Sequence, residues 1–411
     1  MGRRKPSRPG SDIGDDKASS TVSICGRSAA NDDFDLYSDE EEDEFAVAIE
    51  MLYEKRAATR ETGLQKLIRL LISEWQFEEC TFKQETLSRL FLSCFKRGGA
   101  AEATLATKAL ALHVTTLGPS STTELIFEEA LTAFEPVITK GKVADVRTAA
   151  IESLSMMCFV AAAGPEETMQ VMSLLRRANS SSTGEVQAAA LRGWTLLFTT
   201  VPAWKFASTV LDDQLKLLAA LLHSDNVDVR AAAGEAVAVL YDTCDLSTLP
   251  ESTPTAEDEE EEEIDHIEDI VSRMQDLAKN RGDETRRSKK DRIVLKTTFR
   301  ELASIMEGGD PPEQKVKLRH GDVLTVDTLI GNVQLNAFRS FLGEGFQVHL
   351  LSNTLLHQVF SFRPSEEAPE RLTALEKRAY RSPASAQSKE RSQTRKNERR
   401  ASAAYKNTLM H

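Results

Sequence analysis

Between Phe45 and about Leu249, apolar and polar residues alternate with a helical period, and one pattern returns within it. It reads Asp145-Val-Arg-Thr-Ala-Ala-Ile-Glu-Ser-Leu154, then Glu185-Val-Gln-Ala-Ala-Ala-Leu-Arg-Gly-Trp194, then Asp228-Val-Arg-Ala-Ala-Ala-Gly-Glu-Ala-Val237. Weaker copies open at Ala58 and Glu102, so successive starts lie 44, 43, 40 and 43 residues apart. That is the period of HEAT and armadillo repeats, in which each repeat buries its apolar face only by stacking on its neighbours. The residue types fit. An acidic side chain opens the second helix of each repeat, where the helix dipole favours negative charge. Small residues such as Ala149, Ala189 and Ala232 let helices approach closely. Larger apolar residues (Ile151, Leu154, Met157) follow at helical spacing. Gly118-Pro119, Gly164-Pro165 and Ser180 to Gly184 punctuate the copies where a helix must stop. The pattern predicts an all-α fold, a HEAT/armadillo-like α-solenoid followed by a small, mostly helical domain.

Downstream, Leu295–Met306 has the spacing of an amphipathic helix, and Glu307-Gly-Gly-Asp-Pro-Pro312 breaks it. Lys315–Leu318 and Val323–Val326 alternate weakly, as short strands do. Thr328–Leu342 and Asn353–Phe362 read as further helices. Gly343-Glu-Gly345 lacks the third glycine of a dinucleotide loop and marks a helix C-terminus instead.

Charge divides the rest. The 411 residues carry 51 Lys and Arg against 64 Asp and Glu, net −13. Asp32–Glu44 holds nine acidic residues and no basic one, and Glu257–Asp269 holds ten. Arg371–His411 holds eleven basic and three acidic residues, net +8. Like-charge runs repel themselves and resist folding. The resulting organisation is a disordered acidic leader (1–44), helical repeats (45–249), an acidic then basic linker (250–290), a small C-terminal domain (291–363) and a basic tail (364–411), disordered or helical only when bound.

Composition narrows the classes. No run of 18 apolar residues occurs, so no membrane span is expected. The basic Met1–Gly10 is followed by no apolar stretch and is not a secretory signal. Five cysteines without a CxxC pair read as reduced thiols of a cytoplasmic protein, with the nucleus as a second location. No nucleophile elbow and no phosphate loop occurs. The seven histidines are dispersed, and the linker carboxylates lack any geometry for acid–base work. No enzyme, no metal, no cofactor and no small-molecule substrate is expected.

The order of segments, together with AIEMLYEKRAATRETGLQKLIRLL from Ala48 and the downstream KKDR, TFREL, EGGDPPE, AFRSFLGEG and Asn353 within LLSNTLLHQVF, resembles the interferon-related developmental regulator family. The resemblance spans about Asp32 to Phe362. It departs at Gly331-Asn-Val-Gln-Leu335, where a more basic segment is expected. Membership implies regulation rather than catalysis. Family members are described as transcriptional co-regulators acting through protein partners. They are also linked to ribosome binding and translational repression, with C-terminal segments lodged in RNA-lined channels.

The tail carries the charge for such a role. A helix polar all round has nothing to pack against, and basic segments can fold on RNA. Arg378, Arg381, Lys389, Arg391, Arg395, Lys396, Arg399, Arg400 and Lys406 are the candidate phosphate contacts, with Tyr405 as a stacking residue. Two readings follow. In one, the chain binds the ribosome or structured RNA and regulates translation. In the other, it is a nuclear transcription co-regulator whose solenoid surface binds protein partners.

Overall fold

A computed structural model of the chain describes residues 43–365, apart from 181, 183, 207, 245–259, 280–288 and 319–320. Among these residues the helices pair into six repeats. The first is α1 (Glu44–Tyr53) with α2 (Ala57–Ser73). The second is α4 (Gln84–Arg97) with α5 (Ala100–Leu117), preceded by the short α3 (Phe77–Phe82). The third is α6 (Ser121–Lys140) with α7 (Ala144–Ala161), and the fourth α8 (Pro165–Ser180) with α9 (Glu185–Phe198). The fifth is α10 (Ser208–Leu221) with α11 (Val227–Cys244), and the sixth α12 (Glu260–Ala278) with α13 (Lys289–Met306). The second helices form a continuous row in which α2 packs on α5, α5 on α7, α7 on α9, α9 on α11 and α11 on α13. Each predicted repeat start falls in the first turn of a helix of this row.

Local chemistry explains the boundaries. Ser120 closes a capping box with Thr123 at the start of α6, satisfying N–H groups the helix cannot bond itself. Pro165 occupies the first position of α8, where a missing N–H costs nothing. Asp145, Glu185 and Asp228 lie in the first turns of α7, α9 and α11. Two residues on, Arg147 donates through Nε and Nη2 to the Ile138 carbonyl at 3.0 and 2.8 Å. The motif arginine therefore holds the end of the preceding helix. Phe91, Phe127, Phe134 and Phe198 are fully buried between the rows. Each contributes about 1.5–3 kcal/mol of hydrophobic stabilisation.

Repeats one and two are also joined by an ion pair. The carboxylate of Glu102 is 1% exposed and takes Arg60 bidentately, at 2.6 Å from Nε and 2.8 Å from Nη2. The other guanidinium arm, Nη1, donates to the carbonyls of Glu54 and Lys55 at 3.0 and 2.7 Å, fixing the α1–α2 turn.

The sixth repeat lies where the sequence reads as a linker followed by the start of a separate domain. After the glutamate run, Ile270, Met274 and Leu277 form a buried stripe on α12. On α13, Leu295, Phe299, Leu302 and Met306 are buried at helical spacing. The fifth motif copy is altered to receive them. It carries Gly234 where the two preceding copies carry Ile151 and Leu191, and a Cβ on Gly234 would lie 2.6 Å from the Phe299 ring.

Beyond α13, β1 (Gln314–Lys317) and β2 (Val323–Val326) pair antiparallel, with Val316 opposite Leu324, as the alternation predicts. Then come α14 (Leu329–Leu342), a 3-10 turn at Gly343–Gly345, α15 (Phe346–Ser352) and α16 (Thr354–Val359). Gly343 ends α14 at φ 54°. The helix α15 is an addition to the sequence reading; its seven residues fill what reads as a connection.

Candidate functional site

The segment from α14 to α16 lies along the C-terminal ends of the second-row helices as a strap. Those ends expose carbonyls with no partner inside their own helix. The strap supplies the partners. In the last turn of α2, the Leu71 carbonyl accepts from His349 Nε2 at 2.8 Å. In the last turn of α5, the Thr115 carbonyl accepts from Asn353 Nδ2 at 3.0 Å. At the end of α9, Thr199 Oγ1 accepts from Gln334 Nε2 at 3.1 Å. Phe338 packs edge-on against Phe159 of α7, with centroids 5.5 Å apart. Gly345 sits so close to α2 that a Cβ there would come within 1.9 Å of the Ile72 carbonyl oxygen. His349 is buried, and desolvation lowers its pKa, so it is a neutral donor.

Lys108 of α5 fastens the middle of the strap. Its ammonium donates to the Phe341 carbonyl and lies 3.6 Å from the centroid of the Phe341 ring, a cation–π contact. Burial lowers its pKa to about 8, with Glu152 opposing the shift.

Beside this contact, α14 and the second-row helices α5, α7, α9 and α11 enclose a cleft of about 350 Å³. Val333, Asn336, Ala337, Ser340 and Phe341 form the α14 wall; Ser155, Met156, Ala189, Gly193 and Leu196 form the floor. The charged residues of the floor are Lys108, Glu152, Arg192 and Glu235, one from each of four consecutive helices, alternating in sign. The last three occupy the same place, the eighth, in three motif copies. Desolvation raises the pKa of both glutamates; Lys108 and then Arg192 oppose this at Glu152, and Arg192 opposes it at Glu235. Arg192 pairs with Asp228 at 3.3 Å, both side chains being more than half exposed. Neither Glu152 nor Glu235 has a hydrogen bond or ion pair to another described residue.

The tail positions from Arg378 to Lys406, Tyr405 included, lie outside the described residues. The last described residue, Ser365, donates from its backbone N–H to Asp322 at 3.1 Å and from its hydroxyl to the same carboxylate at 2.5 Å. Ser365 is thereby held beside the β1–β2 turn. Among the described residues no three His, Cys, Asp or Glu side chains group as metal ligands would, and no helix is long and apolar enough to cross a membrane. The charged cleft residues are not singled out in the sequence as a site. Their signal was the Glu–Arg–Glu alternation at one motif position, which acquires meaning only once those helices are known to be neighbours.

A family model described as interferon-related developmental regulator matches residues 16–307, and a second, described as interferon-related protein conserved region, matches residues 353–402. The chain is 28% identical over 332 residues to interferon-related developmental regulator 2 of Mus musculus, covering 77% of this chain and 72% of that protein. It is 26% identical over 331 residues to interferon-related developmental regulator 1 of Sus scrofa and 24% identical to that of Homo sapiens, each match covering 77% of this chain and 70% of the relative. Among solved structures, a designed armadillo repeat protein aligns with a TM-score of 0.41 at 13% identity, over 62% of this chain and 99% of the other.

Proposed function

The chain belongs to the interferon-related developmental regulator family, and from this we propose that it is a non-enzymatic regulator of translation that binds ribosomes or structured RNA. The observation that carries the reading is the separation of charge. A chain of net −13 ends in a segment, Arg371–His411, of net +8, which follows shortly after the anchored Ser365. A polycation on an acidic protein meets a polyanion while the acidic body discourages loose contacts elsewhere. Arg378, Arg381, Lys389, Arg391, Arg395, Lys396, Arg399, Arg400 and Lys406 are the proposed phosphate contacts. Tyr405 adds a stacking contact, worth roughly 1–3 kcal/mol. If about six of these side chains meet phosphates, binding weakens with salt at a log–log slope on the order of −4 to −5. The proposed site of action is cytoplasmic.

Cosedimentation with ribosomes through a sucrose gradient, with the full chain and with a chain lacking residues 364–411, tests this. Loss of cosedimentation on truncation is the expected result. Unchanged cosedimentation would remove the basic segment from the mechanism.

The cleft between α14 and the second-row helices favours a second reading, a nuclear co-regulator that holds protein partners on its solenoid surface. In that case partners captured from cells resist ribonuclease and depend on residues 45–249.

A further inference from the structure

The cleft floor presents Glu152, Arg192 and Glu235 from α7, α9 and α11, one charge per helix, negative, positive, negative. Packed helices lie roughly 8–10 Å apart, so these charges form a ladder with that step. Lys108 would extend the ladder, but its ammonium is already committed to the Phe341 carbonyl and ring. Arg192 is shared with Asp228 in an exposed pair that exchanges easily. Glu152 feels the charges of Lys108 and Arg192, and Glu235 that of Arg192, but neither glutamate makes a hydrogen bond or ion pair with a described residue.

The shape restricts the occupant. A helix is roughly 10–12 Å across with its side chains and sets neighbouring residues of one face about 5–6 Å apart, closer than the steps of the ladder. A β-strand fits the width, but its side chains at three-residue spacing point to opposite faces. A polyproline II segment places every third residue on one face with a repeat of about 9 Å, which matches the ladder. Its backbone has no internal hydrogen bonds and needs outside partners; Asn336 and Ser340 on the α14 wall offer them. A nucleic acid is disfavoured, because its phosphates would face two carboxylates.

We propose that this cleft binds an extended, proline-containing peptide of a partner protein that carries a basic, an acidic and a basic side chain at three-residue intervals, set against Glu152, Arg192 and Glu235. Such recognition is independent of whether the basic C-terminal segment meets RNA.

Fluorescence anisotropy with the purified full chain and three labelled peptides tests it. The first carries Lys-Pro-Pro-Glu-Pro-Pro-Lys. The second has the same composition with the charges adjacent, and the third has the signs reversed, Glu-Pro-Pro-Lys-Pro-Pro-Glu. The first peptide binds roughly tenfold more tightly than either other, as charge register at an interface allows. The combined substitution Glu152→Lys, Arg192→Glu and Glu235→Lys inverts the preference towards the third. The isosteric pair Glu152→Gln and Glu235→Gln, checked for native circular dichroism, lowers affinity for the first peptide roughly tenfold and leaves ribosome cosedimentation unchanged. Equal affinity for all three peptides would overturn the proposal. So would an unaltered preference in the charge-reversed chain, or displacement of the peptide by oligouridylate.

Discussion

Asn353 and Thr115 are 238 residues apart in sequence and 3.0 Å apart in space, the side-chain amide of one donating to the backbone carbonyl of the other. The same asparagine caps α16, its Oδ1 accepting from the Leu355 N–H at 2.9 Å. Asn353→Ala removes the cap and leaves a buried carbonyl unpaired, a loss of about 2–3 kcal/mol in denaturant unfolding. Asn353→Asp preserves the cap but turns an acceptor towards the Thr115 carbonyl, so it destabilises at least as much. Full tolerance of aspartate would mean that the long-range bond contributes nothing.

Gly345 is the point of closest approach between the strap and α2. Any side chain there collides with the Ile72 carbonyl, which is backbone and cannot rotate away. Gly345→Ala is expected to lift α15 from α2 while the repeats stay folded. Hydrogen exchange followed by mass spectrometry reads this as faster exchange in residues 343–359, with little change in α7 and α9. Unchanged protection across the strap would contradict the packing.

Glu102 is a buried charge, and its value depends on its partner. Breaking a buried pair from one side costs about 3–5 kcal/mol, because the remaining charge is stranded. Arg60 still touches solvent, so Glu102→Ala falls near the lower end of that range. Arg60→Lys is also damaging, since an ammonium cannot bridge both carboxylate oxygens and the Glu54 and Lys55 carbonyls together. Thermal unfolding of the two single variants and the double variant measures the coupling.

Histidine burial makes stability depend on pH. His113 is fully enclosed, and because a carbonyl can only accept, its Nε2 carries the proton towards Gln84. Desolvation lowers its pKa to about 4. The unfolded chain takes up this proton near pH 6.5 and the folded chain does not. Stability is therefore full above pH 6.5 and falls as pH drops towards 4, by about 2 kcal/mol between pH 7 and pH 5. His349 shifts in the same direction. Urea unfolding as a function of pH should show this slope, and His113→Gln should flatten it.

Much of the fold could be read from local chemistry. Repeat starts are marked by an acidic residue and small side chains, turns by glycine and proline, and the β1–β2 pairing by alternation over four residues. What escaped depends on distant contacts. The sixth repeat begins in a glutamate run whose charge outweighs its apolar stripe, although Gly234 already leaves room for Phe299. Nothing near His349 or Asn353 in sequence announces that their partners are the Leu71 and Thr115 carbonyls. The cleft charges sat in plain view in the repeated motif, yet position alone could not say that Glu152, Arg192 and Glu235 line one hollow.

A stack of repeats can ordinarily gain or lose a unit, because each touches only its neighbours. Here the strap works as a ruler. His349 must reach α2 and Asn353 must reach α5 while Gln334 reaches α9. Removing the repeat between α5 and α9 would leave the α2 and α5 fastenings in register with each other and carry the one at α9 out of reach. The number of units between α2 and α9 is thereby set by contacts made far along the chain.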